Sequence, residues 1–176
     1  MDFLSGRTFE RWLPSSPPLL DVLAVLEQVS RAVHHAHGSG IVHRDLKPGN
    51  VMVDESLRAV VMDFGLAKDL DAADGGGRTR TGTVFGTPHF MAPEQAAGKT
   101  REIGIPTDVY AIGAMLYLAV VGRPPYEAEN VTEMLVSILA APPVRPRVRK
   151  PELAEDLEAV ILQAMARDPR QRYASA

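Results

Sequence analysis

The stretch His43-Arg44-Asp45-Leu46-Lys47-Pro48-Gly49-Asn50 brings a carboxylate, an ammonium group and a carboxamide close together in the chain. Asp45 could accept a proton from an attacking hydroxyl, and Lys47, two residues on, could neutralise a neighbouring phosphate. Asn50 offers a carbonyl oxygen, which suits a hard cation such as Mg²⁺. Thirteen residues later Asp63-Phe64-Gly65 follows a β-type run and supplies a carboxylate for the same cation. A base, cation ligands and a phosphate-neutralising lysine together suit phosphoryl transfer, which depends on positioning and charge stabilisation.

These groups fall in loops and need rigid elements to hold them. Upstream, Ser15-Ser16-Pro17-Pro18 predicts a helix start with a hydroxyl cap and proline in the first turn. Leu19, Leu23, Leu26, Val29 and Val33 then recur at helical spacing, and Gly38 and Gly40 end the pattern. Downstream, Val51–Val53 and Ala59–Met62 predict a small β-ribbon around the turn Asp54-Glu55-Ser56. Residues 68–83, with Gly75-Gly76-Gly77 and no apolar periodicity, predict a mobile surface loop. Pro106-Thr107 opens and Gly122 closes a helix whose run Val109–Val121 carries no charge. A spanning helix needs roughly 20 such residues, so this run predicts a helix in the centre of a soluble core. An amphipathic helix over 131–139, a Pro/Arg stretch over 142–151 and a last helix over 153–166 complete the reading. The fold class is mainly α with a small β-ribbon, without internal repeats.

Composition narrows the possibilities further. The chain has 176 residues, 45% hydrophobic and 23% charged, with a net charge of -3 and no cysteine. Disulfide scaffolds, thiolate zinc sites and cysteine nucleophiles are excluded. The near-neutral charge gives no footprint for nucleic acid. The first twenty residues lack the apolar core of a signal peptide, so a reducing, cytoplasmic setting is expected.

The motifs resemble those of eukaryotic-like serine/threonine protein kinases of the bacterial branch. His43 to Asn50 matches the family's catalytic loop and Asp63-Phe64-Gly65 its metal-binding triplet. The segment from Gly86-Thr87-Pro88 to Ala92-Pro93-Glu94 resembles the substrate-docking segment. Asp108 matches an aspartate that braces the catalytic loop, and Arg172 an arginine that pairs with the Glu94 position. These landmarks occur in family order. The resemblance implies the helical C-terminal lobe of a kinase-like α+β fold, with a hinge near residues 1–6, the lobe over 7–176 and an activation segment over 63–94.

On the same resemblance, the reaction is transfer of the ATP γ-phosphoryl to Ser or Thr of a protein. Asp45 is the base, Lys47 contacts the phosphoryl, Asn50 and Asp63 hold Mg²⁺ (or Mn²⁺), and Thr87 approaches Asp45. Asp2, Leu4 and Met52, with Lys47, Asn50 and Asp63, are the implied ATP contacts. Arg44 is the implied receiver of an activation phosphate, with Thr81 expected as its main site and Thr79 and Thr83 beside it. His43, Phe64, Gly65, Glu94, Asp108 and Arg172 are implied structural residues. The family's glycine-rich loop and strand lysine do not precede His43, and its last helix is expected after Ala176. The N-terminal lobe is therefore expected to be absent and the chain inactive on its own. The full-length protein could carry a membrane anchor elsewhere. A non-catalytic remnant and a small-molecule phosphotransferase stand as alternatives; Thr87 and Pro93-Glu94 favour protein substrates over the latter.

Plainer readings also hold for several residues. His43 reads as a core histidine satisfied by backbone. Asp63 could be a turn residue, and Asp108 a carboxylate favoured by a helix N-terminus. His34, His35 and His37 do not share one helix face and read as surface or catalytic-loop packing rather than metal ligands. Arg145, Arg147, Arg149 and Lys150 read as a solvated loop.

Overall fold

The fold was obtained as a computed structural model, which describes residues 6–64 and 88–176. Helix α1 (Phe9–Trp12) precedes α2 (Leu19–Gly38), whose buried residues Val22, Val25, Leu26, Val29, Val33 and His37 recur every three or four positions. That is the spacing of one helix face. Leu19, in the first turn, stays 46% exposed, and Leu23 lies half-buried at the margin of the stripe. The expected hydroxyl cap does not form. Pro18 is the N-cap, without a side-chain hydrogen bond, while the Ser15 hydroxyl donates to Trp12 O at 2.6 Å. Two consecutive prolines keep both serines one turn short of the helix, and Ser16 adopts a left-handed φ of 53°.

The ribbon is strands β2 (Val51–Val53) and β3 (Ala59–Val61), antiparallel with Val51 opposite Val61. Asp54 Oδ1 closes its turn by accepting from Ser56 N and Arg58 N at 2.8 and 2.9 Å. Gln28 on α2 fixes that turn from below, donating to Leu57 O at 2.9 Å and accepting from Ala59 N at 3.1 Å. The sheet has a third strand, β1 (Arg7–Thr8), pairing Arg7 with Val53. Two residues carry no periodicity, so neither β1 nor the four-residue α1 is visible in the sequence pattern. Gly6 permits the pairing, because a Cβ there would stand 2.7 Å from Val53 O. Phe9 and Trp12 pack ring against ring at 5.7 Å and anchor α1 in the core.

A short helix, α3 (Pro93–Ala96), leads to α4 (Ile105–Val121), which is buried on nearly every side and ends at Gly122 with a φ of 78°. It packs against α2, which carries the chain toward His43, and against α7 (Glu155–Ala164). Between α4 and α7 lie α5 (Val131–Ala140), capped by Asn130 Oδ1 accepting from Glu133 N, and α6 (Pro146–Arg149). The stretch read as a solvated loop therefore contains a helical turn and is tied down. Arg145 pairs with the buried Glu158 at 2.7 Å, and Arg147 with Glu155 at 2.6 Å. Lys150 donates to Val120 O at 3.0 Å and Arg149 to Pro124 O at 3.3 Å. Their partners are acids ten or so residues on and the end of α4, so only the folded chain brings them together.

Candidate active site

The His43–Asn50 segment leaves α2 and enters β2 through one helical turn, Pro48–Asn50. Its backbone is held by Asp108, in the first turn of α4 and fully buried. Asp108 Oδ2 accepts from His43 N, and Oδ1 from Arg44 N, both at 2.8 Å. His37 Nε2 lies 2.8 Å from Oδ2 and is equally buried. A buried carboxylate is costly unless fully hydrogen-bonded, and these partners supply that need.

Arg44 adopts a left-handed φ of 67°, a conformation that costs a non-glycine residue about 1–3 kcal/mol. It is clamped at both ends. Asp108 takes its N–H, and Gln95 Nε2 donates to its carbonyl at 2.7 Å. Gln95 Oε1 also accepts from Ala92 N at 3.1 Å, so one side chain links the start of α3 to the loop. His43 points back to the sheet. Its Nε2 donates to Met62 O at 2.8 Å while Nδ1 accepts from Asp45 N at 3.3 Å, which assigns the Nε2–H tautomer. Phe64 packs on the same ring at 4.9 Å.

Asp45, Lys47 and Asn50 form one cluster. Lys47 Nζ donates to Asp45 Oδ2 at 2.6 Å, and Asn50 Nδ2 donates to Asp45 O at 2.8 Å. The Asp45 and Lys47 side chains are 65% and 39% exposed, so the pair contributes at most about 1 kcal/mol to stability. Both line a cleft of about 400 Å³, together with Glu10 and Gly49 and a wall from Pro88 to Met91. Asn50 joins through its bonds to Asp45, while Asp63 and the half-buried Met52 line no part of that cleft. With the Asn50 amide committed to Asp45, its side-chain oxygen is what remains to offer a cation. Asp63 is exposed, at a φ of 61°. Among the described residues no three His, Asp or Glu converge to cage a metal. One amide oxygen and one carboxylate fit a magnesium ion that takes its other oxygens from phosphate and water.

Below the loop, Glu94 and Arg172 form a buried fork, with Nη1–Oε1 and Nη2–Oε2 both at 2.8 Å. Thr107 Oγ1 donates to Glu94 Oε1 at 2.9 Å and accepts from Gly104 N at 3.1 Å. Arg172 further donates to Ala166 O and Pro106 O, and stacks 4.9 Å over the Tyr110 ring. Asp2, Leu4, Gly65, Thr79, Thr81, Thr83 and Thr87 lie outside the described residues, as do most of the predicted loop and hinge. Gln95, Thr107 and the pairing of His37 with Asp108 escaped the sequence reading. His37 extends the α2 stripe four residues past Val33, and that signal was available; His34 and His35 are exposed.

A helix-rich fold with this loop, brace and buried fork defines the protein kinase class. The protein kinase domain family matches residues 1–176, and the chain belongs to it. The chain is 37% identical to the serine/threonine-protein kinase pkn3 of Myxococcus xanthus, over 100% of this chain and 34% of that protein. It is 39% identical to Pkn1 of the same organism, over 99% of this chain and 25% of the relative. It is 34% identical to PrkC of Bacillus subtilis (strain 168), over 100% of this chain and 27% of the relative. The chain thus spans about a third or less of the length of these relatives, each of them a bacterial protein named as a serine/threonine-protein kinase. Its fold superposes on a solved structure described as Rad53 1-466 in complex with AMP-PNP, with a TM-score of 0.75 at 22% identity. That match covers 98% of this chain and 42% of the other. Among the described residues no helix is long and apolar enough to cross a membrane.

Proposed function

We propose that this chain supplies the helical lobe and catalytic loop of a kinase that phosphorylates Ser and Thr in proteins. The observation that carries the reading is the Asp45–Lys47–Asn50 cluster in the cleft, on a backbone locked by Asp108 and Gln95. Asp45 orients the acceptor hydroxyl and takes its proton. Lys47, held at 2.6 Å from that carboxylate, offers its charge to the transferring phosphoryl. Asn50 and Asp63 would hold Mg²⁺ (or Mn²⁺) with ATP, and the bound ion would neutralise charge on the phosphate oxygens. Met52, Asp2 and Leu4 are assigned to the nucleotide, and Thr87 to the surroundings of Asp45. Arg44 is assigned to an activation phosphate on Thr81, with Thr79 and Thr83 as neighbouring sites.

The test is transfer of label from [γ-³²P]ATP to a protein acceptor by the full-length gene product, followed by phosphoamino acid analysis. Phosphoserine and phosphothreonine are expected, with loss of transfer in Asp63→Asn. Label confined to a small-molecule acceptor, or an undiminished Asp63→Asn variant, would overturn the reading.

A further inference from the structure

Gln95 is a side chain of the cleft wall whose two polar ends are spent on different stretches of backbone. It stands half-buried on α3 and lines the cleft of about 400 Å³ with Asp45 and Lys47. Its Nε2 donates to Arg44 O at 2.7 Å, and its Oε1 accepts from Ala92 N at 3.1 Å. A carbonyl can only accept and a backbone N–H can only donate, so these partners fix which way the amide faces.

The carbonyl that Gln95 holds belongs to the Arg44–Asp45 peptide. The N–H of that peptide, on Asp45, donates to His43 Nδ1 at 3.3 Å, and Arg44 N donates to Asp108 Oδ1 at 2.8 Å. The bond on the Asp45 side is the long one, so the 2.7 Å bond from Gln95 is the firmer hold on this peptide plane. Arg44 has a φ of 67°, which a non-glycine residue keeps only while its surroundings enforce it. Rotation of the freed peptide relieves that conformation, and the Asp45 side chain, one atom further along the chain, turns with it.

The other end of the amide reaches the wall of the cleft. Ala92 follows Pro88 to Met91, whose turn is closed by Met91 N donating to Pro88 O at 3.1 Å. His89 Nδ1 donates to Tyr126 O at 3.0 Å, so the wall is tied on its far side as well. One amide thus holds the peptide before Asp45 in register with the segment that the acceptor is expected to meet.

We infer that Gln95 is a positioning residue for phosphoryl transfer: through Arg44 O and Ala92 N it sets the Asp45 carboxylate against an acceptor lying along residues 88–91. This rests on the protein-phosphorylation reading above. The part played by Gln95 is exerted through Asp45, and that makes it separable from a contribution to the fold.

The test measures steady-state transfer from labelled ATP to casein by the full-length gene product, with rates normalised to the fraction that binds a fluorescent ATP analogue. Gln95→Leu removes both hydrogen bonds, and Gln95→Glu keeps the acceptor for Ala92 N while losing the donor to Arg44 O. In both, kcat is expected to fall about ten- to a hundred-fold, the scale of an ångström's misplacement, with nucleotide affinity unchanged. In an Asp45→Asn background Gln95→Leu should cost nothing further, because residues that act as a unit are not additive. A second fall of the same size in that background would assign Gln95 to the fold and overturn the inference, as would loss of nucleotide binding in both variants. Wild-type kcat in Gln95→Glu would confine the residue to capping α3 and overturn it too. A wild-type product that binds nucleotide and transfers nothing would remove the phosphorylation reading itself, whereas transfer undiminished by either Gln95 variant would remove this inference alone.

Discussion

At the scale of single residues, the buried Glu94–Arg172 fork is the interaction whose loss the fold would feel most. Both side chains are almost fully enclosed, at 1% and 0% exposure. Burial pushes the Glu94 carboxyl up. The hydrogen bond from Arg172, a backbone N–H, the Arg172 charge and the Thr107 hydroxyl together outweigh it and hold the group below its ordinary 4.5. Because the folded-state value lies below the unfolded one, the fork's stabilisation is complete above pH 4.5 and is lost as pH falls through the folded-state value. Glu94→Gln leaves the Arg172 charge buried without its partner and should cost about 3–5 kcal/mol at neutral pH. Urea unfolding from pH 7 downward checks this. The gap between wild type and variant should narrow below pH 4.5; a gap independent of pH would contradict it.

At the scale of elements, the crossing of α4 with α7 is set by Gly113. A Cβ there would meet Ala164 Cβ at 2.7 Å and Met165 Cγ at 2.9 Å. The Ala164 methyl cannot rotate away, so Gly113→Ala forces the helices apart despite its better helix propensity. The expected loss is about 1–3 kcal/mol, as for overpacking elsewhere. Gly38→Ala, at the end of α2 where a Cβ meets nothing within 4 Å, should leave the unfolding midpoint unchanged or raised. Thermal denaturation of both variants tests the contrast, and equal effects would refute the packing account.

The elements that the sequence made legible are the helices long enough to show a period, α2, α4, α5 and α7, and the β2–β3 ribbon, whose β-branched runs flank an Asp-led turn. Their bounds moved by a residue or two. What stayed hidden depends on partners distant in the chain. The four residues of α1 and two of β1 are ordered by the core and by β2, and the basic residues 145–150 by acids on α7 and carbonyls near the end of α4. The Ser15-Ser16 cap failed because a local signal was displaced by the two prolines that follow it.

At the scale of the whole molecule, α2 and α4 bring two separate stretches to one loop. Asp108 lies 65 residues from His43 and Glu94 lies 78 from Arg172, yet each pair is in contact. The site's chemistry was legible because Asp45, Lys47 and Asn50 are neighbours in sequence. Its supports were legible through resemblance, and Gln95, which no charge or periodicity marks, was not. The same architecture leaves Asp45 exposed in the cleft, so replacing it should alter chemistry without unfolding the protein.

The most direct measurement is therefore the initial rate of labelled γ-phosphoryl transfer from ATP–Mg²⁺ to a Ser/Thr protein acceptor, wild-type gene product against Asp45→Asn, alongside both unfolding midpoints. The account predicts a fall of roughly 10²- to 10⁴-fold, the range for loss of a positioned base, with the midpoint unchanged. An Asp45→Asn protein that transfers phosphoryl at the wild-type rate would contradict it.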